Sequence, residues 1–502
     1  MKNYLDGGEA IIEAFRRLDI DYVMASPGSE WGSVWEAFAR QDANKADGPT
    51  YLSCAHETLA VNLAMGYSVM TGRMQAVMLH TGVGLLQGSM GIDAANRQGV
   101  PMVVVSGESL TYSEQEGFEP GPQWQGLLSV VGGPANLVQA ITKWSQAVSS
   151  PFTLHEQLIR AGEMAQRSPA GPVYMSVPVS ESWWSDFTNF PKDHALYQGI
   201  GNPEYLHDAD VVLTLRSRAP WSPPGNRPAG ATIVNIDEAP FRSHMVHQNL
   251  QADIFLEGDA VATLQALIEA VRRKGIDDAA VAARRARWSK GHDALVARKQ
   301  AQVDEALAKD TISPIGLCAT LGDVLPDDTI YIDETITSRR SIIEHIDFKG
   351  PLSFFSVASG GLGQGLGLAL GAKLAMKDRP VVSVIGDGSF MYNPVTQSLA
   401  LSQHKNIPIM IVVFNNAGYS AMRKEHHAYY PDGVAAASNA SEGFNITDVD
   451  YAELGKPFGF YGRRVEALAD LPGVLKEAYA ATLEGRTAIV NVILDEGAPA
   501  KR

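Results

Sequence analysis

In the stretch VVSVIGDGSF, Asp387 stands between two glycines at the end of an apolar run. The run has the composition of a strand buried on both faces, and glycine tolerates the backbone angles of a sharp turn. A lone Gly-Asp-Gly is compatible with a tight strand-to-helix turn and nothing more. The residues beyond it argue for chemistry. After Gly388 come 26 residues, containing a helical VTQSLALSQHK and a second strand PIMIVVF, and then Asn415-Asn416-Ala417-Gly418. Open α/β sheets bind ligands outside the carboxyl ends of their strands. A carboxylate after one strand and an amide after the next would therefore share one edge. Asp, Asn and backbone carbonyl oxygens are hard donors suited to Mg2+, which also takes phosphate oxygens. A helix N-terminus beyond Ser389 and Phe390 would offer N–H groups to the same phosphate. The spacing predicts a metal–diphosphate site.

Such a site needs strands to carry it. DYVMAS, AVMLH and PMVVVSG read as strands in the first third, separated by HETLAVNLAMGYSVMTG and GLLQGSMGIDAANRQG, both helical in period and closed by glycine. This alternation predicts βαβ units and a parallel sheet. The last third, from about Ser313, repeats the pattern with TIYIDE, PVVSVIG, PIMIVVFNN, FYGRRVE and AIVNVILD. Between them, SDFTNFPKDHALYQG reads as a linker, DVVLTL, TIVNID and DIFLEG as three strands, and the Arg/Lys/Ala-rich stretch from about 260 to 308 as solvated helix. The expected division is 1–185, 186–310 and 311–502: two similar α/β domains with parallel sheets flanking a shortened α/β middle domain.

Composition bounds the function. The 502 residues are 45% hydrophobic and 19% charged, so the chain buries sizeable cores. Its net charge of −15 and lack of dense Lys/Arg runs count against nucleic acid. Two distant cysteines, Cys54 and Cys318, suggest neither a disulfide framework nor a Cys-based zinc site. Apolar runs near eight residues fall far short of the roughly 20 that span a bilayer, and the start reads as an amphipathic helix rather than a secretory leader. A soluble cytoplasmic protein is predicted.

The Gly-Asp-Gly and Asn-Asn pair, at this spacing, resembles the signature of the thiamine diphosphate enzymes of the 2-oxo acid decarboxylase and acetolactate synthase group, and the resemblance spans nearly the whole chain. It implies a pyrimidine-binding first domain and a last domain binding diphosphate and Mg2+, with Asp387, Asn416 and the Gly418 carbonyl as metal ligands. SCAHETLAVNLAMGYSVMTGR is similar to the family segment whose glutamate meets the aminopyrimidine, here Glu57; a buried carboxyl with a raised pKa suits such proton sharing. Taken alone, Glu57 reads equally as a helix-start carboxylate. SVASGGLGQGLGLALG fits no dinucleotide register and resembles the family stretch that gives a carbonyl to the pyrimidine and an apolar wedge beneath the cofactor, Gly360 and Leu362. Its glycines would also serve tight helix packing. Gly388, Ser389 and Phe390 would line the diphosphate, and DETITSRR places Thr335 and Thr337 where the family has diphosphate-contacting hydroxyls, or plain caps.

On the substrate side, SPGSE resembles the turn of benzoylformate decarboxylases whose serine meets the substrate carboxylate, here Ser29. VMLHTGVG places His80 at those enzymes' active-site histidine. A second histidine from the middle domain has no counterpart, the loop there reading APWSPPGN. His426-His427 lies on the last domain and would only border the pocket. The resemblance implies decarboxylation of a 2-oxo acid by a lyase, with carboligation of the resulting enamine to an aldehyde or ketone as a further outcome. The alternatives are an acetolactate-synthase-like ligase and a non-catalytic member, or outside the family a nicotinamide or flavin oxidoreductase. The short middle domain counts against FAD. A homodimer or homotetramer with sites between subunits is expected.

Overall fold

The computed structural model describes residues 4–26, 28–54, 56–109, 133–148, 153–179, 190–200, 204–217, 220–221, 226–238, 240, 251–350, 352–356, 362–438, 445–446 and 449–495. These fall into two compact units, one of residues 4–109, 133–179 and 306–495, the other within 181–305. Among the described residues, no helix is long and apolar enough to cross a membrane.

The larger unit holds two six-stranded parallel sheets. The first is built from β1 (Tyr22–Ala25), β2 (Thr50–Ser53), β3 (Gln75–Leu79), β4 (Met102–Ser109), β5 (Trp144–Ala147) and β6 (Pro172–Val179), in the order β2-β1-β3-β4-β6-β5. The smaller unit has β7 (Val211–Leu215), β8 (Thr232–Asp237) and β9 (Ile254–Glu257), parallel and paired in sequence order. The second large sheet has β10 (Ile330–Glu334), β11 (Phe354–Ser356), β12 (Val381–Gly386), β13 (Met410–Asn415), β14 (Tyr461–Val465) and β15 (Ala488–Ile493), ordered β11-β10-β12-β13-β15-β14. The two expected parallel sheets are present, the three middle strands also pair in parallel, and the helical expectation for 260–308 becomes helices Ala260–Lys274 and Asp278–Leu307.

The central strands are continuous apolar runs because helices cover both faces of each large sheet. Val77 and Leu79 pack with the helices Glu57–Thr71 and Thr81–Gln98, while the alternate residues Ala76 and Met78 face the core on the other side. Those two helices end where glycine adopts a left-handed conformation, Gly72 at φ 70° and Gly99 at φ 67°. Their close packing depends on small residues: a Cβ on Gly91 would lie 2.8 Å from Val61 Cγ1, and one on Gly88 3.0 Å from Leu79 Cδ1.

In both sheets the chain switches direction across the order between β1 and β3 and between β10 and β12, and turns back again at the β6-β5 and β15-β14 ends. Such switch points open a crevice at the strands' carboxyl ends. Ser26 and His80 follow the first pair of strands; Thr335 and Asp387 follow the second.

Candidate active site

The register of β12 and β13 sets Gly386 beside Phe414, so the turns after the two strands emerge together. Asp387 opens the short helix Asp387–Tyr392 itself, earlier than the sequence suggested. Its carboxylate accepts from its neighbour's amide, Gly388 N at 2.8 Å, and across the edge from Gly418 N at 3.0 Å. The second loop is held open by Ala417, whose φ is 54° and whose N–H donates to Asn415 Oδ1 at 3.0 Å. That leaves the side chain of Asn416 inward: it is buried, and its Oδ1 has no partner among the described residues. Burial pushes the Asp387 carboxyl up to about 6, against the opposing pull of the Gly388 and Gly418 amides. A carboxylate kept from water and an unpartnered amide oxygen beside it fit a cation.

Tyr419 packs across Gly388, where an added Cβ would sit 2.5 Å from its ring, and its buried hydroxyl has no partner among the described residues. Ser389 and Phe390 are buried on the same short helix. Thr335 is buried, and its hydroxyl donates to Asp333 Oδ1 at 2.8 Å. With its proton committed there, it offers only lone pairs, which do not suit an anionic diphosphate. Thr337 makes only a long 3.5 Å contact to the Thr335 carbonyl. Leu362 is half-buried at the start of the loop before helix Gly365–Ala375, whereas Gly360 lies outside the described residues.

Glu334, which sequence reasoning passed over, organises that loop. Its buried carboxylate accepts from Gly363 N at 2.8 Å, Gln364 N at 3.0 Å, Gly365 N at 2.9 Å and Asn393 Nδ2 at 2.8 Å. It thereby fixes the residues following Leu362 to the end of the Asp387–Tyr392 helix. The signal was an acidic residue ending an apolar strand, in IYIDE. Truncating it to Ala leaves the buried Gly365 N and the part-buried Gly363 and Gln364 amides without this acceptor, a buried donor costing about 1–3 kcal/mol when unsatisfied. We expect Glu334→Ala to lower the thermal midpoint of the metal-free protein by about 5 °C or more; a midpoint unchanged in differential scanning calorimetry would contradict this role.

Across the crevice, Glu57 is the first residue of its helix, and His56 caps that helix by accepting from Thr58 N at 3.1 Å. Glu57 is 3% exposed and burial raises its carboxyl above the usual range. The Ser26 hydroxyl bonds to it and also pairs with the hydroxyl of Tyr392, joining the two sheets within one chain. Glu57 Oε2 has no partner among the described residues. Gly84 leaves room for it, since a Cβ there would lie 2.8 Å from Glu57 Oε1 and 3.2 Å from His80 Cβ. A buried carboxyl whose pKa is raised by desolvation, with one oxygen unmatched among the described residues, fits a ring nitrogen that shares a proton. His56 stacks on Tyr392, with ring centroids 5.5 Å apart, and both border a cleft of about 730 Å³ together with Gln87, Gly363 and Phe390.

His80 directly precedes its helix, and its Nδ1 lies 2.7 Å from Glu30 Oε2. Ser29 begins the one-turn helix Ser29–Trp31; its side chain lies outside the described residues. The structure therefore brings Glu57 and His80 together. His426 is buried, beside Trp35 and 3.5 Å from Glu36 Oε2.

Residues 5–127 match the family "Thiamine pyrophosphate enzyme, N-terminal TPP binding domain", and residues 337–492 match "Thiamine pyrophosphate enzyme, C-terminal TPP binding domain". The chain is similar to a benzoylformate decarboxylase of Pseudomonas aeruginosa, 22% identical over 94% of this chain and 96% of the relative. It is similar also to the acetolactate synthase isozyme 3 large subunit of Escherichia coli, 23% identical over 98% and 95%. Among solved structures, the benzoylformate decarboxylase of Polynucleobacter necessarius aligns over 99% of this chain and 100% of its own, at 19% identity and a TM-score of 0.45. With the two binding domains matched and each of their sheets carrying its own part of the site, the chain belongs to the thiamine pyrophosphate-dependent enzymes.

Proposed function

We propose that this protein is a Mg2+- and thiamine diphosphate-dependent decarboxylase of a 2-oxo acid that also ligates the decarboxylated fragment to an aldehyde or ketone. The observation that carries the reading is the Asp387 carboxylate held 3.0 Å from Gly418 N beside the unmatched oxygen of Asn416. When bound, thiamine diphosphate supplies the carbon nucleophile and electron sink that let a 2-oxo acid release CO2. Asp387, Asn416 and the Gly418 carbonyl hold the metal, while Gly388, Ser389, Phe390 and Thr337 line the diphosphate. Thr335 contributes through its backbone. Leu362 and Gly360 support the pyrimidine end. Glu57 would share a proton with the pyrimidine nitrogen, a role that suits a carboxyl whose pKa burial raises. Ser29 binds the substrate carboxylate, and His80 moves a proton at the reacting carbon or oxygen.

A panel of 2-oxo acids, supplied with the cofactor and Mg2+ and scored for both CO2 and ligated products, tests the reading; no turnover of any member would overturn it. Comparable similarity to decarboxylases and to acetolactate synthases favours an acetolactate-synthase-like ligase as the second reading, which the ligated products would reveal. We propose a cytoplasmic homodimer or homotetramer whose partner chains contribute to each site, to be checked by sedimentation of the loaded enzyme.

Ser29→Ala is expected to raise KM more than it lowers kcat, because the carboxylate it binds departs as CO2. His80→Ala is expected to lower kcat and enlarge the ligated share when an aldehyde is present. Wild-type kinetics in both variants would show that the substrate pocket lies elsewhere.

A further inference from the structure

We propose that Glu30 is the positioning residue of His80, its carboxylate fixing the proton on Nδ1 so that the neutral ring exchanges protons with the site at Nε2. The proposal deepens the reading that His80 moves a proton in the substrate pocket and rests on it. It starts from the buried contact between Glu30 and His80.

Glu30 sits in the one-turn helix Ser29–Trp31, and its side chain is fully enclosed. One carboxylate oxygen, Oε2, lies 2.7 Å from His80 Nδ1, and the other, Oε1, accepts from Thr81 N at 2.8 Å. Both oxygens thus serve two consecutive residues at the end of β3. A carboxylate has no proton to give when ionised, so the imidazole atom facing it is the donor. The neutral ring then carries its proton on Nδ1, and Nε2 becomes the atom that accepts and releases a proton.

The surroundings are shaped for this pair. A Cβ on Gly28 would stand 2.3 Å from Glu30 Oε2 and 2.5 Å from His80 Nδ1. One on Gly107, from β4, would stand 2.3 Å from Glu30 Cγ. Two separate elements therefore give up their side chains where the pair lies. Thr81 also has φ 28°, an uncommon backbone for a β-branched residue, and its amide is the one that Glu30 holds. The carboxylate fixes the strand-to-helix junction as well as the ring.

Among the described residues, the ring meets the carboxyl groups of Glu30, from its helical turn, and of Glu57, from the helix Glu57–Thr71, which interacts electrostatically with His80. The helix that begins after His80 has no acidic residue in its first turn, and the Gly28 and Gly107 positions carry no charge.

The test is a pH titration of the imidazole nitrogens by NMR, on holoenzyme loaded with thiamine diphosphate and Mg2+ and labelled with 15N-histidine. The His80 signals are identified by their loss in His80→Ala. In the wild type, we expect the neutral ring to show Nδ1 protonated. Glu30→Gln keeps the shape, but its single carbonyl oxygen cannot serve both His80 and Thr81. It should move the His80 titration down by about one pH unit or more, the low end of what an adjacent opposite charge contributes. Glu30→Asp, which keeps the charge and shortens the reach, should fall between the two and serves if the amide variant does not fold. An identical titration and tautomer in wild type and variant would overturn the positioning role. Exchange of the cofactor's C2 proton, followed in the same samples, separates the two readings. If the wild type fails to support exchange, the cofactor reading fails, while the titration still decides the role of Glu30.

Discussion

Asp387→Ala is expected to abolish turnover by weakening Mg2+ and cofactor together, each by about a thousandfold, or roughly 4 kcal/mol. A Mg2+ held by Asp387 would also take phosphate oxygens, so neither ligand should keep its affinity once the carboxylate is gone. Calorimetric titration of the variant with thiamine diphosphate in the presence of Mg2+ decides the matter: wild-type affinity would remove Asp387 from the metal site. The same carboxyl sets a pH dependence. In the metal-free protein, burial holds it up to about 6, and only the ionised form ligates a cation. Below about pH 6 protons compete with Mg2+, and the apparent affinity should fall about tenfold per pH unit; above pH 7 this dependence should vanish.

Glu57→Gln should separate binding from activation. The amide cannot share a proton with the pyrimidine as the acid does, yet the metal and diphosphate anchors lie on the other sheet and stay intact. Cofactor affinity is expected to survive within about tenfold, while exchange of its C2 proton slows by at least about a hundredfold, the low end of general acid–base contributions. Unchanged exchange, measured by NMR after acid quench, would take Glu57 out of the mechanism. The contrast between the variants is itself informative, because one lesion lies on each sheet.

The parts of the site that were legible in the sequence are those fixed by local spacing. Asp387 and Asn416 follow adjacent parallel strands, so a strand, a helix and another strand of ordinary length suffice to bring them to one edge. Glu57 was legible only through the likeness of its segment to the family's; taken alone it read as a helix-start carboxylate, the position it holds in the structure. Glu334 and Glu30 were not legible, since their roles depend on partners far along the chain. Glu334 meets Asn393, and Glu30 meets His80, only after the sheets have formed. A carboxylate at a strand end has many fates, and spacing alone does not choose among them. Thr335 shows the converse: its hydroxyl sits where a phosphate contact was expected, but Asp333, two residues earlier, claims its proton. Likewise the His426-His427 pair looked like pocket lining, while the fold turns His426 toward Glu36.

The two large sheets share one strand order, with each β-strand of the first having its counterpart in the second. During synthesis this likeness is a hazard, because parallel strands of similar length and composition could pair across the two halves. The order of emergence works against such errors. Every strand of the first sheet has been made once Val179 leaves the ribosome, and β10 begins only at Ile330. At ordinary elongation rates of about 5–20 residues per second, that interval of roughly 150 residues lasts about 8–30 s. The first sheet can close its own edges before a look-alike strand exists to compete. The middle unit thus acts as a delay line in the nascent chain, and refolding from denaturant, where all strands are released at once, has no such protection.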